Sequence, residues 1–208
     1  MQITKYNHAC LVVENAGKVV LIDPGVYSEQ FADQLLGNLH DLEAILITHE
    51  HADHCSPHLI KKIKDKFPHV TIISNETVST LLKKEGFEVS TKTPPYVHSE
   101  TILHEKIWLG SPCENTVFTV FNRLTHPGDS LHFQSSSEIL ALPITAPWGS
   151  TTEAVEKALE LKPTTIIPIH DWLWKDEIRE QFYQRLADYF AQRQINFIPV
   201  KNGETIEV

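Results

Sequence analysis

Short apolar runs separated by turn residues dominate the start of the chain. Residues 2–6, 9–14 and 18–22 form three runs of five or six positions, of which the last two are densely apolar, and Asn-Ala-Gly at 15–17 separates those two. Runs of this length are typical of β-strands, and asparagine and glycine favour a tight hairpin turn. The pattern therefore predicts a three-stranded meander that ends at the turn residues Asp-Pro-Gly, 23–25.

Between residues 28 and 86 the hydrophobic pattern changes to alternating helix and strand signals. These are a weak helical stretch at 28–36, a strand at 41–47, a helix at 57–66, a strand at 70–74 and a helix at 76–84. Asn75 suits the N-cap of the last helix and Gly86 suits its left-handed end. Alternation of this kind is typical of parallel strands covered by helices.

From residue 88 to 133 the runs become short and β-rich, which predicts a second sheet. Its clearest strand, 116–121, is dense in β-branched and aromatic residues. Further elements are strands at 138–142 and 165–169, a helix from 150 to 161 that opens with a capping box, a helix at 176–193, and strands at 197–200 and 205–208 around the Asn202-Gly203 turn. The long helix places apolar residues at four-residue intervals, namely Ile178, Phe182, Leu186 and Phe190. No repeat or linker interrupts the pattern, so we expect one domain of residues 1–208.

Composition narrows the choice of partner. A chain of 208 residues with 41% hydrophobic residues is long enough to bury a real core. Its net charge of −9 argues against a nucleic-acid partner, because such proteins concentrate lysine and arginine on one face. No signal peptide or membrane span is visible, and the three cysteines have no paired spacing, so we expect a reduced, cytoplasmic setting without a membrane partner. The oligomeric state stays open.

The most informative stretch is T-H-E-H-A-D-H at residues 48–54, directly between a predicted strand and the helix start Ser56-Pro57. In α/β proteins, ligand sites form in loops at the carboxyl ends of strands. Four of its side chains suit a divalent transition metal: His49, His51, Asp53 and His54. The zinc motif H-E-x-x-H does not apply, because its second histidine position holds Asp53. The sequence therefore predicts a metal site here, with the neighbouring Cys55 as a buried thiol or a further ligand.

Two distant residues are further ligand candidates, because each lies at the end of a predicted strand. Asp129 follows Gly128, a residue that allows close approach of the backbone, and His170 ends the strand at 165–169. The alternatives are a turn aspartate and a strand-capping histidine. His8 lies in the first turn, where it either lines the mouth of the site or is a solvated loop residue.

Four motifs together resemble the metallo-β-lactamase superfamily, in particular its ascorbate-phosphate-lactonase-like branch. They are H-x-H-x-D-H at 49–54, H-P-G-D-S at 126–130, L-P-I-T-A-P-W at 142–148 and I-P-I-H-D at 167–171. The resemblance covers nearly the whole chain. It implies an α/β fold, a four-layer αββα sandwich in which two mixed β-sheets are flanked by helices.

The resemblance also implies two divalent metal ions, with a ligand set for each. The first ion would be held by His49, His51 and His104, the second by Asp53, His54 and His170, and Asp129 would bridge them. His98 stays open as the alternative to His104. Asp23 either supports the metal loop from beneath or is a plain turn residue. Imidazole and carboxylate ligands suit Zn²⁺, with Mn²⁺ or iron as alternatives.

The implied function is that of a metal-dependent hydrolase acting on an ester, lactone, amide or phosphoester bond of a small molecule. Two ions lower the pKa of a shared water toward about 7 and so supply a metal-bridging hydroxide. Asp53 would orient that hydroxide, and His126 would donate to a developing oxyanion, hold a ligand, or be structural. The ions' positive potential would suit an anionic substrate. The alternatives are a phosphodiesterase or nuclease of the same fold, and a metal-binding protein without turnover.

Substrate choice is expected to depend on loops around Tyr96-Val97, Trp108 and Trp148. Trp148 would form an aromatic wall of the site or pack into the core.

Overall fold

The computed structural model describes residues 1–108 and 113–208, so residues 109–112 of the predicted β-rich region lie outside the described residues. The strands are β1 (Gln2–Lys5), β2 (Leu11–Asn15), β3 (Lys18–Ile22), β4 (Leu42–Leu46), β5 (Thr71–Ile73), β6 (Val89–Ser90), β7 (Val97–Leu103), β8 (Glu114–Val120), β9 (Leu124–His126), β10 (Ile139–Pro143), β11 (Thr165–Ile169), β12 (Asn196–Phe197) and β13 (Thr205–Glu207). The α-helices are α1 (Ala32–Asn38), α2 (Pro57–Lys66), α3 (Glu76–Lys84), α4 (Thr151–Leu161) and α5 (Asp176–Ala191), and a 3₁₀ helix, Val26–Phe31, precedes α1. Within the described ranges, no helix is both long and apolar enough to span a bilayer.

The strands form two mixed sheets. The first has the order β13-β1-β2-β3-β4-β5-β6, in which β1 to β3 are the predicted antiparallel meander and β3 to β6 run parallel. The second has the order β12-β11-β10-β9-β8-β7, in which β7 to β9 are antiparallel and β9 to β12 are parallel. Parallel neighbours connected by helices carry their loops to the same sheet edge, where ligand sites form.

Three apolar clusters show how the layers stack. The middle cluster contains side chains of both sheets, such as Leu46 and Phe118, so the sheets pack face to face. A second cluster joins the outer face of the first sheet to helices α1, α2 and α3. The third joins the other sheet to α4 and α5. The layers are therefore helix, sheet, sheet and helix, which confirms the expected α/β fold with two mixed sheets between helices.

Helix α5 buries a different face from the one predicted. Tyr183, Leu186 and Phe190 are buried, but Ile178 and Phe182 are 44% and 40% exposed. An α-helix advances about 100° per residue, so a strict four-residue interval drifts by about 40° at each step. Over the three steps from Ile178 to Phe190 the drift reaches about 120°, which carries the first two side chains out of the core.

The last two strands lie in different sheets, although the sequence places them around one turn. β12 pairs with β11 in the second sheet, whereas β13 pairs with β1 in the first. The amide of Ile198 still bonds to Ile166, but Pro199 has no N–H with which to extend the strand. The chain then crosses the sandwich, and the amide of Gly203 donates to the carbonyl of Lys5 at 2.7 Å.

A buried ion pair also links the two sheets. The Nζ atom of Lys5, in β1, lies 2.8 Å from both carboxylate oxygens of Asp171, which follows β11 by two residues. The hydroxyl of Tyr183 donates to the same carboxylate at 2.6 Å. Burial raises the pKa of Asp171, but Lys5 more than offsets this and holds the pKa below its usual range. The pair therefore anchors the end of β11.

Replacing Lys5 with alanine is expected to destabilise the fold by about 3–5 kcal/mol, because it removes the buried cation that contacts both oxygens of Asp171 and leaves only Arg179, whose Nη1 atom lies 4.0 Å away. The free energy of unfolding measured by urea denaturation tests this. Lys61→Ala is the control, since Lys61 and Asp65 form a pair in which both side chains are 66% exposed. Equal, small losses in the two variants would contradict the anchoring role.

Candidate metal centre

The loop at residues 48–54 follows β4 at the carboxyl edge of the first sheet and packs tightly on the preceding D-P-G turn. The amide of Val26 donates to the carbonyl of Ala52 at 2.8 Å, and the amide of Ser56 donates to Pro24 at 2.9 Å. A Cβ atom on Gly25 would lie 1.7 Å from the carbonyl oxygen of Asp53. Glycine at this position is therefore what allows the two backbones to approach so closely.

Asp23 supports this loop from below, as the resemblance implies. Its carboxylate accepts hydrogen bonds from the amide and hydroxyl of Thr48, both at 2.7 Å. The Nδ1 atom of His54 donates to it at 2.7 Å. Asp23 is fully buried and has a left-handed backbone with φ 47°. These contacts place it behind the ligand candidates and direct Nε2 of His54 into the pocket.

The turn after β9 delivers Asp129 from the second sheet. Gly128 has φ 61°, and a Cβ atom there would lie 2.2 Å from the side-chain oxygen of Asn115. Asn115 bonds to both sides of the turn, donating to the carbonyl of Pro127 at 2.8 Å and accepting from the amide of Asp129 at 3.1 Å. The close approach expected at Gly128 is therefore present, and Asp129 is 2% exposed.

Hydrogen bonds behind the rings orient the histidines. Nδ1 of His104 donates to the carbonyl of Glu105 at 2.6 Å, and Nδ1 of His170 donates to Thr145 at 2.7 Å. Their Nε2 atoms then lie 3.5 and 2.9 Å from Oδ2 of Asp129, and Nε2 of His54 lies 3.1 Å from Oδ1. Such bonds to the far nitrogen fix the tautomer that leaves Nε2 free as a metal ligand.

In the described part of the chain, three groups of side chains could each hold a metal ion, because the ligand atoms within each group lie within 4.8 Å of one another. They are His49, His51 and His104; His8, Asp53, His54 and His170; and His49, His54 and Asp129. Nε2 of His54 and His170 lie 3.1 and 2.9 Å from Asp129, but these contacts lack the alignment of hydrogen bonds. Among the described residues, the buried atoms facing this space without a hydrogen-bond partner are therefore Nε2 of His54, His104 and His170, and Oδ1 of Asp129. Because buried polar atoms are normally paired, this group of atoms fits metal ions well.

The charges of this pocket are strongly coupled. Burial lowers the pKa of His49 well below its usual value, which favours the neutral imidazole that binds metals. Burial also opposes protonation of His54, but Asp129 and Asp23 more than offset it and raise its pKa well above normal. Burial raises the pKa of Asp53, but the bond with His8 and the charge of His54 hold it well below normal. A proton on His54 thus balances part of the negative charge of Asp129 and Asp23 when no metal is bound.

His8 belongs to the pocket, a position that the sequence left open. Its ring is 1% exposed and lies 4.0 Å from the ring of His170, and its Nε2 donates to Oδ2 of Asp53 at 3.1 Å. Asn7 and His8 have left-handed backbones with φ 74° and 51°. The carbonyl of His8 also accepts from the amide of His170 at 3.2 Å. Asn7 suits a left-handed backbone, but the contact between this turn and the turn after β11 has no local sequence signal.

His126 and His98 do not face the pocket. The buried Nε2 of His126 donates to the carbonyl of Ala9 at 3.0 Å, and its Nδ1 accepts from the amide of Gly128 at 3.3 Å. Both nitrogens are used in holding the backbone, so the expected donation to an oxyanion does not fit this geometry and the structural alternative does. His98 is exposed near the start of β7. Since His104 follows the end of that strand, the two lie about 20 Å apart, which favours His104.

Of the aromatic residues that the sequence assigned to the substrate loops, Trp148 lies at the pocket and Tyr96 lies far from it. Nε1 of Trp148 donates to Oδ2 of Asp129 at 2.9 Å, so Trp148 forms a wall of the pocket. The expectation for Tyr96 was wrong, because Tyr96 precedes β7 and lies beside Lys18 and Phe121 at the opposite end of the strand from His104. Trp108 is 81% exposed. The length of β7 separates Tyr96 from the site.

Comparisons with known proteins agree with this geometry. Residues 2–170 match the family described as "Beta-lactamase superfamily domain". Protein Rv0786c of Mycobacterium tuberculosis is 27% identical, over 90% of this chain and 92% of its own length. A "UPF0173 metal-dependent hydrolase" of Exiguobacterium is 28% identical, over 82% of this chain and 85% of its own. The solved structure of Igni18, described as a novel metallo hydrolase from Ignicoccus hospitalis, shares the fold with a TM-score of 0.72 at 18% identity, covering 100% of this chain and 98% of its own.

Replacing Gly25 with alanine is expected to destabilise the fold by about 1–3 kcal/mol, because the new Cβ atom overlaps the backbone at Asp53. Thermal or urea unfolding measures this. Gly37→Ala in α1 is the matched control, since a Cβ atom there meets nothing within 4 Å and alanine favours a helix. A Gly25 variant as stable as the Gly37 variant would show that the two loops are not packed as described.

Proposed function

Because the chain belongs to the beta-lactamase superfamily domain family, we propose that it is a dinuclear metal-dependent hydrolase acting on a small molecule. The main support for this proposal is a group of buried nitrogen and oxygen atoms without hydrogen-bond partners, which belong to Asp129 and the histidines around it. They come from loops of both sheets and point into one space, an arrangement whose burial cost bound divalent cations would offset. The name of the Exiguobacterium relative, a metal-dependent hydrolase, supports the same reaction class.

The ligand-type side chains can be assigned to two ions. His49, His51 and His104 would hold the first, in a set of three imidazoles. Asp53, His54 and His170 would hold the second. Asp129 would serve both, since its carboxylate lies 3.5 Å from Nε2 of His104 in the first set and 3.1 Å from Nε2 of His54 in the second. Imidazole and carboxylate donors suit Zn²⁺, with Mn²⁺ or iron as alternatives. Two such ions supply hydroxide at neutral pH by lowering the pKa of a shared water.

Asp53 is suited to orienting the attacking water. Its side chain is 27% exposed, whereas that of Asp129 is 3% exposed, so Asp53 lies at the open side of the pocket. His8 donates to its Oδ2 atom and fixes the carboxylate. Because its pKa is held well below normal, Asp53 stays ionised and accepts a hydrogen bond from water rather than storing a proton. We therefore assign it an orienting role.

The predicted substrate is a small molecule whose scissile ester, lactone, amide or phosphoester bond reaches the open side of the pocket. An anionic group would be attracted by the ions. The same pair of ions would also support hydrolysis of a phosphodiester, so phosphodiesters belong in the substrate panel. A metal-binding role without turnover is the outcome if no bond in the panel is hydrolysed.

Replacing Asp129 with asparagine is expected to reduce the bound metal from two ions per chain to one or none, and hydrolysis by at least about 100-fold. The asparagine keeps the shape but removes the charge that both ions share. Metal analysis of the purified protein and a panel of lactone, thioester, carboxylester and phosphodiester substrates measure the two effects. Asp65→Asn, on the exposed face of α2, is the control. Full metal content and turnover in the Asp129 variant would remove it from the mechanism.

Metal uptake is expected to release protons and to weaken as the pH falls. Burial opposes protonation of His54 and His170, but the adjacent Asp129 raises the pKa of both above the usual value. The metal-free pocket therefore favours protonated imidazoles at these two positions, and an entering ion must displace those protons. Calorimetry in buffers of different ionisation enthalpy should give a release of about one to two protons per chain. A binding enthalpy that is independent of the buffer would contradict this charge balance.

A further inference from the structure

Large apolar side chains are exposed on the segment that directly follows His170. Trp172 is 40% exposed and Leu173 is 54% exposed, and Phe182 in α5 is 40% exposed beside Trp174, with ring centroids 5.1 Å apart. Val26, next to Tyr27 in the chain, is 39% exposed. Contiguous apolar side chains on a protein surface mark binding surfaces, so the contacts among these residues decide whether they form one.

One aromatic pair continues directly into the metal centre. The rings of Tyr27 and Trp172 stack in parallel, with centroids 3.9 Å apart and planes 6° apart. The other side of Tyr27 meets the ring of His8 edge-on at 5.3 Å. Since His8 contacts both Asp53 and His170, an unbroken series of ring contacts leads from Trp172 through Tyr27 and His8 to the expected ligands of the second ion.

A second aromatic surface borders the same centre from the Asp129 side. Trp148 contacts the ring of His170 at 5.7 Å as well as bonding to Asp129. An open cleft of about 640 Å³ leads outward from Trp148 and is lined by Pro147, Trp174 and Phe182. The two aromatic surfaces thus flank His170, and both are partly exposed although they touch ligand candidates.

From these ring contacts we propose that Trp172, stacked on Tyr27, forms a substrate subsite for a planar apolar group. Such a group would be an aryl ring close to the scissile bond. This inference rests on the proposed function and adds a substrate class to it. Flat aromatic faces bind aromatic groups through burial and through stacking or edge contacts. The side chain of Trp172 would therefore select substrates without touching the reacting atoms.

A pair of metal-binding probes separates the subsite from the metal centre. Acetohydroxamate and benzohydroxamate share one head group and differ in a methyl or phenyl substituent, and their affinities for the zinc-loaded protein can be measured by calorimetry. We expect at least about tenfold tighter binding of benzohydroxamate. Trp172→Ala should reduce this preference at least about fivefold, with metal content and acetohydroxamate affinity unchanged.

Two variants control for folding and for general surface effects. Trp172→Phe keeps an aromatic face and should retain most of the preference. Tyr189→Ala removes an aromatic ring from another exposed part of α5 and should retain all of it.

Each remaining outcome overturns a different claim. Equal affinities for the two probes in the unaltered protein, or a preference that survives Trp172→Ala, would overturn the aryl subsite while leaving the metal centre intact. A protein that takes up no zinc and binds neither probe would overturn the proposed function and, with it, this inference. A concentration-dependent dimer that Trp172→Ala abolishes would show that a second copy of the chain covers the surface instead.

Discussion

The burial of one carboxylate among several imidazoles is the constraint on which the rest of the structure depends. Asp129 is 2% exposed, and Nε2 atoms of His54 and His170 lie about 3 Å from its oxygens. An ionised carboxylate in such a position is stable only if positive charge compensates it. Protons on the histidines can supply that charge in part, and divalent ions supply it fully. The pocket is therefore built around cations.

Rigid support behind the ligands makes this arrangement specific. Backbone carbonyls and Asp23 hold the far nitrogens of His54, His104 and His170, and glycines at 25 and 128 let the loops approach within contact distance. Left-handed backbones at Asp23 and His170 add local strain, which a folded protein retains where the surrounding contacts are strong. The Lys5–Asp171 pair is one such contact, because it joins β1 to the residue after His170. Fold stability and site geometry are thus linked.

The proposed chemistry and the proposed substrate preference would arise from different parts of the same site. The buried donors would determine which ions bind and how water is activated, whereas the partly exposed aromatic side chains around them would determine what can approach. The segment 170–174 would serve both purposes, since it begins with the ligand candidate His170 and continues with Trp172 and Trp174. A change at this segment can therefore alter selectivity while the donor set stays the same.

The sequence by itself determined the elements with local signals. Strand and helix runs, the caps at Asn75 and Ser150, and the histidines of the 48–54 loop were predictable, because turn chemistry, periodicity and ligand spacing act over a few residues. Tertiary structure alone decided which distant residues meet. It placed His8 in the pocket, placed Tyr96 about 25 Å from His104 along β7, turned His126 toward the backbone, and sent β12 and β13 to separate sheets. Those outcomes depend on strand length, sheet order and side-chain direction after packing, and none of these is expressed in the neighbouring sequence.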